Sequence, residues 1–422
     1  MNRSAAALLA LVAGILVGAG IRASGSVALS EIAYFLLPIG VLWLNALKMT
    51  LVPLVFATVA NGMITLDRRG GGGLLLGITL PILFGLLASA MLLGMAFGIF
   101  FQSVWPIAPG TLAALGAPSA PPVQQSASVF ELIVGLVPTN PVAAATNGAM
   151  ASIVVFAVVF GFAVSRTSSE DDEPVARFIA GLAAAMLCLV HWVLRLTPLG
   201  IFMLSMGLAL NIGLAIAGFV AQIVVASIIA ALIAITLGYL LAWLAGAVTP
   251  LRFGKAVIGV QVMAAGTCSS AASLPAMIEA SERKLGIDPA IGGAVLPLAV
   301  SIFRFSVALY QGALIVLFMI AMGLPLDSAR LFVAGALLIL GTMGGAGLPG
   351  AAVIYTSWIA ALQFLGLPVE LVPIMIAANA LPDIFVTAGN VTAHMAVTAI
   401  IARLLAKKRP DELSSRLGPA VP

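Results

Sequence analysis

Residues 254–284 read GKAVIGVQVMAAGTCSSAASLPAMIEASERK, an apolar stretch that turns small and polar in its middle. Residues 330–366 read RLFVAGALLILGTMGGAGLPGAAVIYTSWIAALQFLG and are interrupted in the same way by glycine and proline. Each pattern predicts two short helices joined by a broken tip. Backbone at membrane depth needs hydrogen-bond partners, so such tips must be buried in protein or line a cavity. Paired broken segments are typical of transporter binding sites, and kinked full spans are the structural alternative.

The composition of the whole chain places these stretches in a membrane. The 422 residues are 62% hydrophobic and 8% charged, with a net charge of +4, and the mean hydropathy is +1.20. A soluble domain carries about 25% charged residues. The composition therefore excludes a soluble globule, a disordered protein and a nucleic-acid-binding protein. We expect a multi-pass inner-membrane protein whose partner is the lipid bilayer.

Long apolar runs predict the membrane spans. They lie near residues 4–22, 32–64, 73–101, 129–165, 177–210, 213–245, 288–322 and 368–406. Several runs exceed the roughly 20 residues that cross a bilayer, so they must tilt, kink or continue beyond it. The predicted fold class is an all-α polytopic membrane protein with eight transmembrane helices plus two re-entrant helical hairpins.

Basic residues in the loops favour cytoplasmic N- and C-termini. With that orientation, the basic residues on the cytoplasmic side are Arg68, Arg69, Arg166, Arg177, Arg252, Lys255, Arg283, Lys284, Arg403, Lys407, Lys408 and Arg409. Arg22 and Arg330 fall outside. The first hairpin then enters the membrane from the cytoplasmic side and the second from the outside. Two full spans in place of the hairpins would leave both termini on the same sides of the membrane.

The polar residues divide the chain into two predicted domains. Residues 1–245 contain plain spans and form mainly the scaffold. Residues 246–409 contain both broken segments and the polar residues inside the membrane, and they form the working part. Its predicted parts are hairpin 1 (about 250–284), span 7 (288–322), hairpin 2 (about 330–366) and span 8 (368–406). Residues 410–422 are predicted to form a flexible cytoplasmic tail.

Two ionisable side chains, Asp383 and Arg304, lie inside predicted spans. Charge is costly there, so each marks a functional hypothesis. The structural alternative is a buried ion pair that fixes helix packing. In the functional interpretation, Asp383 accepts hydrogen bonds from a cationic group of a solute in a low-dielectric cavity. The two interpretations are compatible, because an arginine can hold the carboxylate until the solute displaces it.

The final predicted span carries a polar face. Asn390 and His394 follow Asn379 and Asp383 at spacings close to multiples of 3.6 residues, so the four share one face of a helix. His394 could change its charge near physiological pH and carry a proton. A nucleophile–base arrangement, a phosphate-binding loop and a metal-ligand cluster do not appear in the sequence. We therefore predict neither an enzyme nor a cofactor, and no certain metal site.

Several motifs in a fixed order resemble the dicarboxylate/amino acid:cation symporter family, the glutamate-transporter-like proteins. They are LKMTLVPLVF (residues 47–56), VPTNP (137–141), SSAASLP (269–275), LPL (296–298), ALYQG (308–312), GLPG (347–350) and Asp383 with GNVT (389–392). Each motif is weak alone, but their combination in this order is specific. The resemblance covers nearly the whole chain.

The resemblance implies a homotrimer with an elevator mechanism, in which a transport domain, including part of spans 3 and 6, moves past a fixed scaffold. It also implies roles for single residues: Ser269 and Ser270 lie by the solute carboxylate, Leu348 closes the pocket, and Asp383 binds the amino group. Asn390 lies near both solute and cation. The predicted solute-binding residues are Ser269, Ser270, Leu348, Asp383, Val386, Thr387, Asn390 and Arg304.

The chain departs from the family where the family binds sodium and acidic solutes. The family usually carries Asn-Met-Asp-Gly-Thr where residues 303–307 read Phe-Arg-Phe-Ser-Val, so Phe305 replaces a sodium-ligating aspartate. His394 stands at a second such aspartate. Val386 stands at the arginine that grips the side-chain carboxylate of acidic solutes. We predict that Arg304 either partly replaces a coupling cation or binds the solute carboxylate that Val386 cannot bind.

The predicted function is secondary active transport, as cation-coupled symport of an amino acid or a C4-dicarboxylate with degraded sodium sites. The predicted coupling residues for Na⁺ or H⁺ are Ser301, Asn390 and His394. Val386 together with Asp383 favours a neutral amino acid, whereas Arg304 in the pocket would allow acidic solutes again. The alternatives are a proton-coupled or uncoupled neutral amino acid transporter, a channel-like anion conductor and a non-transporting solute sensor.

Overall fold

The computed structural model of the chain describes residues 3–68, 73–107, 134, 136–147, 149–167, 169–212, 215–344 and 350–408. Within these residues the regular secondary structure is helical. We number the helices in chain order: α1 (Arg3–Ser24), α2 (Val27–Lys48), α3 (Leu51–Arg68), α4 (Gly73–Val104), α5 (Pro141–Thr146), α6 (Met150–Val164), α7 (Ser169–Arg195), α8 (Thr197–Ile212), α9 (Ala215–Leu244), α10 (Pro250–Thr267), α11 (Leu274–Arg283), α12 (Pro289–Ile302), α13 (Phe305–Ala321), α14 (Ser328–Gly344), α15 (Gly350–Leu365), α16 (Leu371–Ala378) and α17 (Pro382–Lys408).

Four stretches of described helix are long and apolar enough to cross a membrane. They are Gly77–Val104, Ala217–Leu244, Pro289–Ala321 and Pro382–Ala406, and seven shorter apolar helices accompany them. The helical, apolar chain fits a polytopic membrane protein. The count of eight spans and the elevator arrangement stay predictions.

The broken segments form pairs of helices, as the sequence predicts. The first consists of α10 and α11, which a tip at residues 268–273 separates. The second consists of α14 and α15, which pack against each other. The tip between these two helices, with the predicted pocket residue Leu348, lies outside the described residues.

Two of the predicted spans, residues 288–322 and 368–406, are each divided into two helices in the structure. The first run breaks between α12 and α13, where Phe303 and Arg304 leave the helical conformation with ψ of 80° and 68°. The second breaks between α16 and α17, just before Pro382, whose ring opposes a continuous helix. Asn379 therefore lies before α17 and not on it.

Two other predicted runs are also divided. Residues 32–64 separate into α2 and α3, and residues 177–210 separate into α7 and α8. Such divisions are one way in which apolar runs longer than the bilayer can be accommodated.

Helix α13 lies at the centre of the C-terminal half and is buried along nearly its whole length. Helix α4 packs closely against it, because Gly94 lies on the Leu309 carbonyl and a Cβ at Gly98 would be 2.7 Å from the Ala313 carbonyl. Helix α9 packs on α17 in the same way through Gly238. Small residues allow such close approach of membrane helices.

Candidate solute-binding site

A cavity of about 50 Å³ lies where the broken segments of the C-terminal half meet. It is lined by the tip after α10, by the α12–α13 region, by α15, and by the end of α16 together with the start of α17. The lining residues are Cys268, Ser269, Ser270, Ala271, Val300, Arg304, Val307, Tyr310, Val353, Ile354, Asn379, Asp383, Val386, Thr387 and Asn390. Segments that are far apart in the chain therefore surround one small space.

The tip of the first hairpin is held by its own hydroxyl groups. Cys268 ends α10 in the left-handed conformation, with φ of 48°. The Ser269 Oγ accepts a hydrogen bond from the Ala272 N–H at 3.2 Å, and the Ser273 Oγ donates to the Ser269 carbonyl at 3.0 Å. Serine hydroxyls that bond nearby backbone groups compete with helix formation. The serine-rich sequence thus stops the helix at the cavity, where Ser270 is part of the lining.

Asp383 supplies the negative charge of the cavity. It lies in the first turn of α17, where the helix dipole favours an acidic side chain. The polar side chains of Asn379 and Thr387, one turn before and one turn after it, lie beside its carboxylate and favour its charged form. The carboxylate is part of the cavity lining.

Arg304 supplies a positive charge to the same cavity. It lines the space at the α12–α13 break and interacts electrostatically with Asp383. A fixed carboxylate can accept hydrogen bonds from an ammonium group, and a guanidinium can donate two parallel bonds to a carboxylate. The cavity therefore carries binding groups for both charges of a zwitterion.

Two side chains of α17 hold the break between α12 and α13. The Ser306 N–H donates to the Asn390 Oδ1 at 3.0 Å, and the His394 Nε2 lies 2.7 Å from the Phe303 carbonyl oxygen. Because a carbonyl can only accept, the Nε2 carries the hydrogen. These bonds satisfy backbone groups that the broken helix leaves without intrahelical partners.

The structure places most of the predicted site residues around the cavity: Ser269, Ser270, Arg304, Asp383, Val386, Thr387 and Asn390. His394 is 0% exposed and is not part of the lining. The Ser301 hydroxyl donates to the Pro297 carbonyl at 2.8 Å within α12, and this residue is not part of the lining either. The roles of these residues in binding and coupling stay predictions.

Other lining residues were not predicted from the sequence. Cys268 and Tyr310 lie within or beside the motifs quoted above, so their positions carried a signal. The others are mainly aliphatic: Val300, Val307, Val353 and Ile354. Aliphatic residues fill membrane spans throughout, and so nothing in the sequence distinguishes these four.

Comparison with known proteins identifies the kind of protein that carries this site. The family described as the sodium:dicarboxylate symporter family matches residues 4–404. The chain is 27% identical to the neutral amino acid transporter B(0) of Oryctolagus cuniculus, over 91% of this chain and 76% of the relative. It is 26% identical to the proton/sodium-glutamate symport protein of Geobacillus stearothermophilus, over 93% and 92% of the two chains.

A third relative is the proton/glutamate-aspartate symporter of Escherichia coli (strain K12). It is 26% identical over 94% of this chain and 91% of the relative. The family and these relatives are transporters and not enzymes. The family match over nearly the full length shows that the chain belongs to the sodium:dicarboxylate symporter family.

Proposed function

We propose that the protein is a secondary active transporter that moves a small neutral amino acid together with a cation across the inner membrane. The observation that carries this proposal is the Asp383 carboxylate, which lies with Asn379 and Thr387 in the lining of a cavity between broken segments. The family description and the names of the relatives support cation-coupled symport of amino acids. The cation is sodium or a proton.

The charges of the cavity favour an amino acid over other solutes. The α-ammonium group would bind Asp383, and the α-carboxylate would bind Arg304 and the serine-rich tip. The solute side chain would then face aliphatic residues, among them Val353, Ile354 and Val386. A charged side chain buried against them would lose its hydration without gaining a partner. This environment favours a small apolar or hydroxylated side chain.

Arg304 favours one second candidate, an acidic amino acid. Its guanidinium could take the side-chain carboxylate instead of the α-carboxylate, because planar bidentate pairing suits both groups equally. The bacterial relatives are named as glutamate or glutamate-aspartate symporters. A dicarboxylate without an ammonium group would place a second negative charge beside Asp383, which is unfavourable in a buried cavity.

The packing of the helices supports a moving part that is larger than residues 246–409. Helices α4 and α9 pack closely on α13 and α17, so we propose that they travel with them at least in part. Exposed apolar side chains on the remaining helices, such as Phe35 and Phe178, would face lipid or neighbouring subunits. A homotrimer with cytoplasmic termini is part of the proposal and rests on the family and the loop charges.

Competition in proteoliposomes tests the choice of solute. Uptake of labelled serine would be measured against unlabelled alanine, aspartate and succinate at equal concentrations, with liposomes that lack the protein as the control. We expect saturable serine uptake that alanine inhibits at least about tenfold more strongly than succinate. Stronger inhibition by aspartate than by alanine would favour the second candidate. Uptake that succinate inhibits most strongly would contradict both.

A further inference from the structure

The break between α12 and α13 is a place where a coupling cation is expected. Carbonyl groups at the C-terminal end of a half-helix coordinate sodium in many transporters, and the dipole of such a helix favours a positive charge there. Phe303 follows the end of α12 directly. Its carbonyl is therefore one of the backbone oxygens, with the last carbonyls of α12, that a cation at this break would use.

That carbonyl already accepts a hydrogen bond from the protein itself. The His394 Nε2 lies 2.7 Å from the Phe303 oxygen, which is short for an N–H···O bond. The imidazole is completely buried, and its other nitrogen, Nδ1, has no hydrogen-bond partner among the described residues. The ring thus places a donor N–H at the position where a cation would meet the carbonyl.

The side-chain oxygens that remain at the break are neutral, and one of them is the Ser306 Oγ, which is buried without a hydrogen-bond partner among the described residues. The Asn390 Oδ1 accepts the Ser306 N–H at 3.0 Å. The side chains of Phe303, Phe305 and Val307 offer no oxygen atom. Hard cations bind through several oxygen ligands, usually including a carboxylate. The described part of the chain also contains no group of three or more His, Cys, Asp or Glu side chains that could hold a metal ion.

Arg304 already places a positive charge at the break. The Arg304 guanidinium lies at this point of the chain and interacts electrostatically with both Asp383 and His394. A sodium ion beside it would be repelled, and the repulsion would be strong in a buried, low-dielectric site. The charge and the donor therefore both oppose sodium at this place, and the phenyl side chains add no oxygen ligand.

We propose that the His394 N–H and the fixed charge of Arg304 take the place of a sodium ion at the α12–α13 break, so that this chain binds no sodium there. His394 acts as a positioning residue that holds the Phe303 carbonyl and, through it, the backbone beside Arg304. The inference deepens the proposed function, because it leaves the coupling cation to be a proton or a sodium ion held elsewhere.

Thermal unfolding with the metal alone tests this inference. Purified full-length protein would be heated in NaCl and in choline chloride of equal ionic strength, with no solute present. A ligand that binds only the folded state raises the unfolding temperature. His394→Asp removes the donor and presents a carboxylate beside the Phe303 carbonyl, so it should create a sodium site. His394→Gln keeps an N–H donor and is the matched control.

We expect the sodium-specific rise for His394→Asp to exceed that of the wild type by at least about 3 °C, while His394→Gln behaves as the wild type. A rise for His394→Asp no larger than that of the wild type would overturn the inference. If the aspartate variant does not fold, His394→Glu, which also presents a carboxylate and no N–H donor, takes its place under the same criterion. Failure of the proposed function would appear separately, as absence of amino acid uptake in proteoliposomes.

Discussion

Asp383 and Arg304 are the charged residues of the cavity, and the structure explains how each is tolerated within apolar helices. Asp383 has two polar neighbours, Asn379 and Thr387, that favour its charge, and Arg304 lies in a break where the backbone is already irregular. Both also interact with each other. The ion-pair interpretation and the solute interpretation of the sequence therefore apply to the same two residues, since a zwitterion would replace one partner of each.

Replacement of Asp383 by asparagine should abolish amino acid uptake. The amide keeps the size of the side chain but presents N–H donors to the ammonium group of the solute. Loss of one partner of a buried charged pair costs about 2–5 kcal/mol, so kcat/KM for serine uptake should fall by about 30-fold or more. Glu279→Gln is the matched control, because Glu279 is 63% exposed on α11. Equal uptake by the two variants would refute the ammonium role.

Replacement of Val386 by arginine should shift the choice of solute. Val386 lines the cavity near Asp383, and a guanidinium at this position would pair with a second carboxylate. We expect the ratio of aspartate uptake to serine uptake to rise at least about tenfold. Val386→Leu, which enlarges the side chain without charge, should leave the ratio near its wild-type value. An unchanged ratio in a folded Val386→Arg variant would show that Arg304 already fills this volume.

The sequence indicates which residues lie at the cavity where a polar residue stands in an apolar context. Asp383, Arg304 and Asn390 are conspicuous for that reason, and all three line the cavity. The His394–Phe303 bond could not be predicted, because it joins a side chain to a backbone oxygen 91 residues away. The four aliphatic lining residues could not be predicted either, since their chemistry matches that of any membrane span.

At the scale of the elements, the breaks in the helices decide where the cavity lies. The serines after α10 and the proline at the start of α17 mark two of these breaks in the sequence, because both residue types oppose a continuous helix. The sequence around Phe303 and Arg304 contains no residue pattern that predicts the break there. There the side chains of Asn390 and His394 bond backbone groups at the break, so tertiary contacts stabilise it. Sequence reasoning therefore located one of the three breaks around the cavity, the tip after α10, and missed the other two.

The close contact between α4 and α13 yields a prediction about stability. A methyl group at Gly94 would collide with the Leu309 carbonyl, whereas a methyl group at Gly85 on the same helix would meet no atom within 4 Å. Overpacking of this kind costs about 1–3 kcal/mol. Gly94→Ala should therefore lower the unfolding temperature by several degrees, while Gly85→Ala leaves it unchanged or slightly higher. Equal unfolding temperatures would contradict the packing of α4 on α13.

At the scale of the whole molecule, the close packing of α9 on α17 predicts that they move together. A Cβ at Gly238 would lie 2.9 Å from the Thr392 Cγ2, so cysteines at these two positions should form a disulfide with little backbone movement. With Cys188 and Cys268 replaced by serine, we expect the oxidised and the reduced double-cysteine protein to take up serine at similar rates. Loss of uptake on oxidation, restored by reduction, would show that α9 does not move together with α17.

We expect a cation gradient to drive an amino acid through the cavity that Asp383 and Arg304 line. Accumulation of labelled serine in proteoliposomes tests it most directly, with a sodium gradient or a proton gradient imposed separately and with an ionophore that dissipates each. We predict that at least one gradient raises internal serine above the external concentration and that the matching ionophore abolishes the excess. Serine that only equilibrates under both gradients, or that binds without entering, would contradict this expectation.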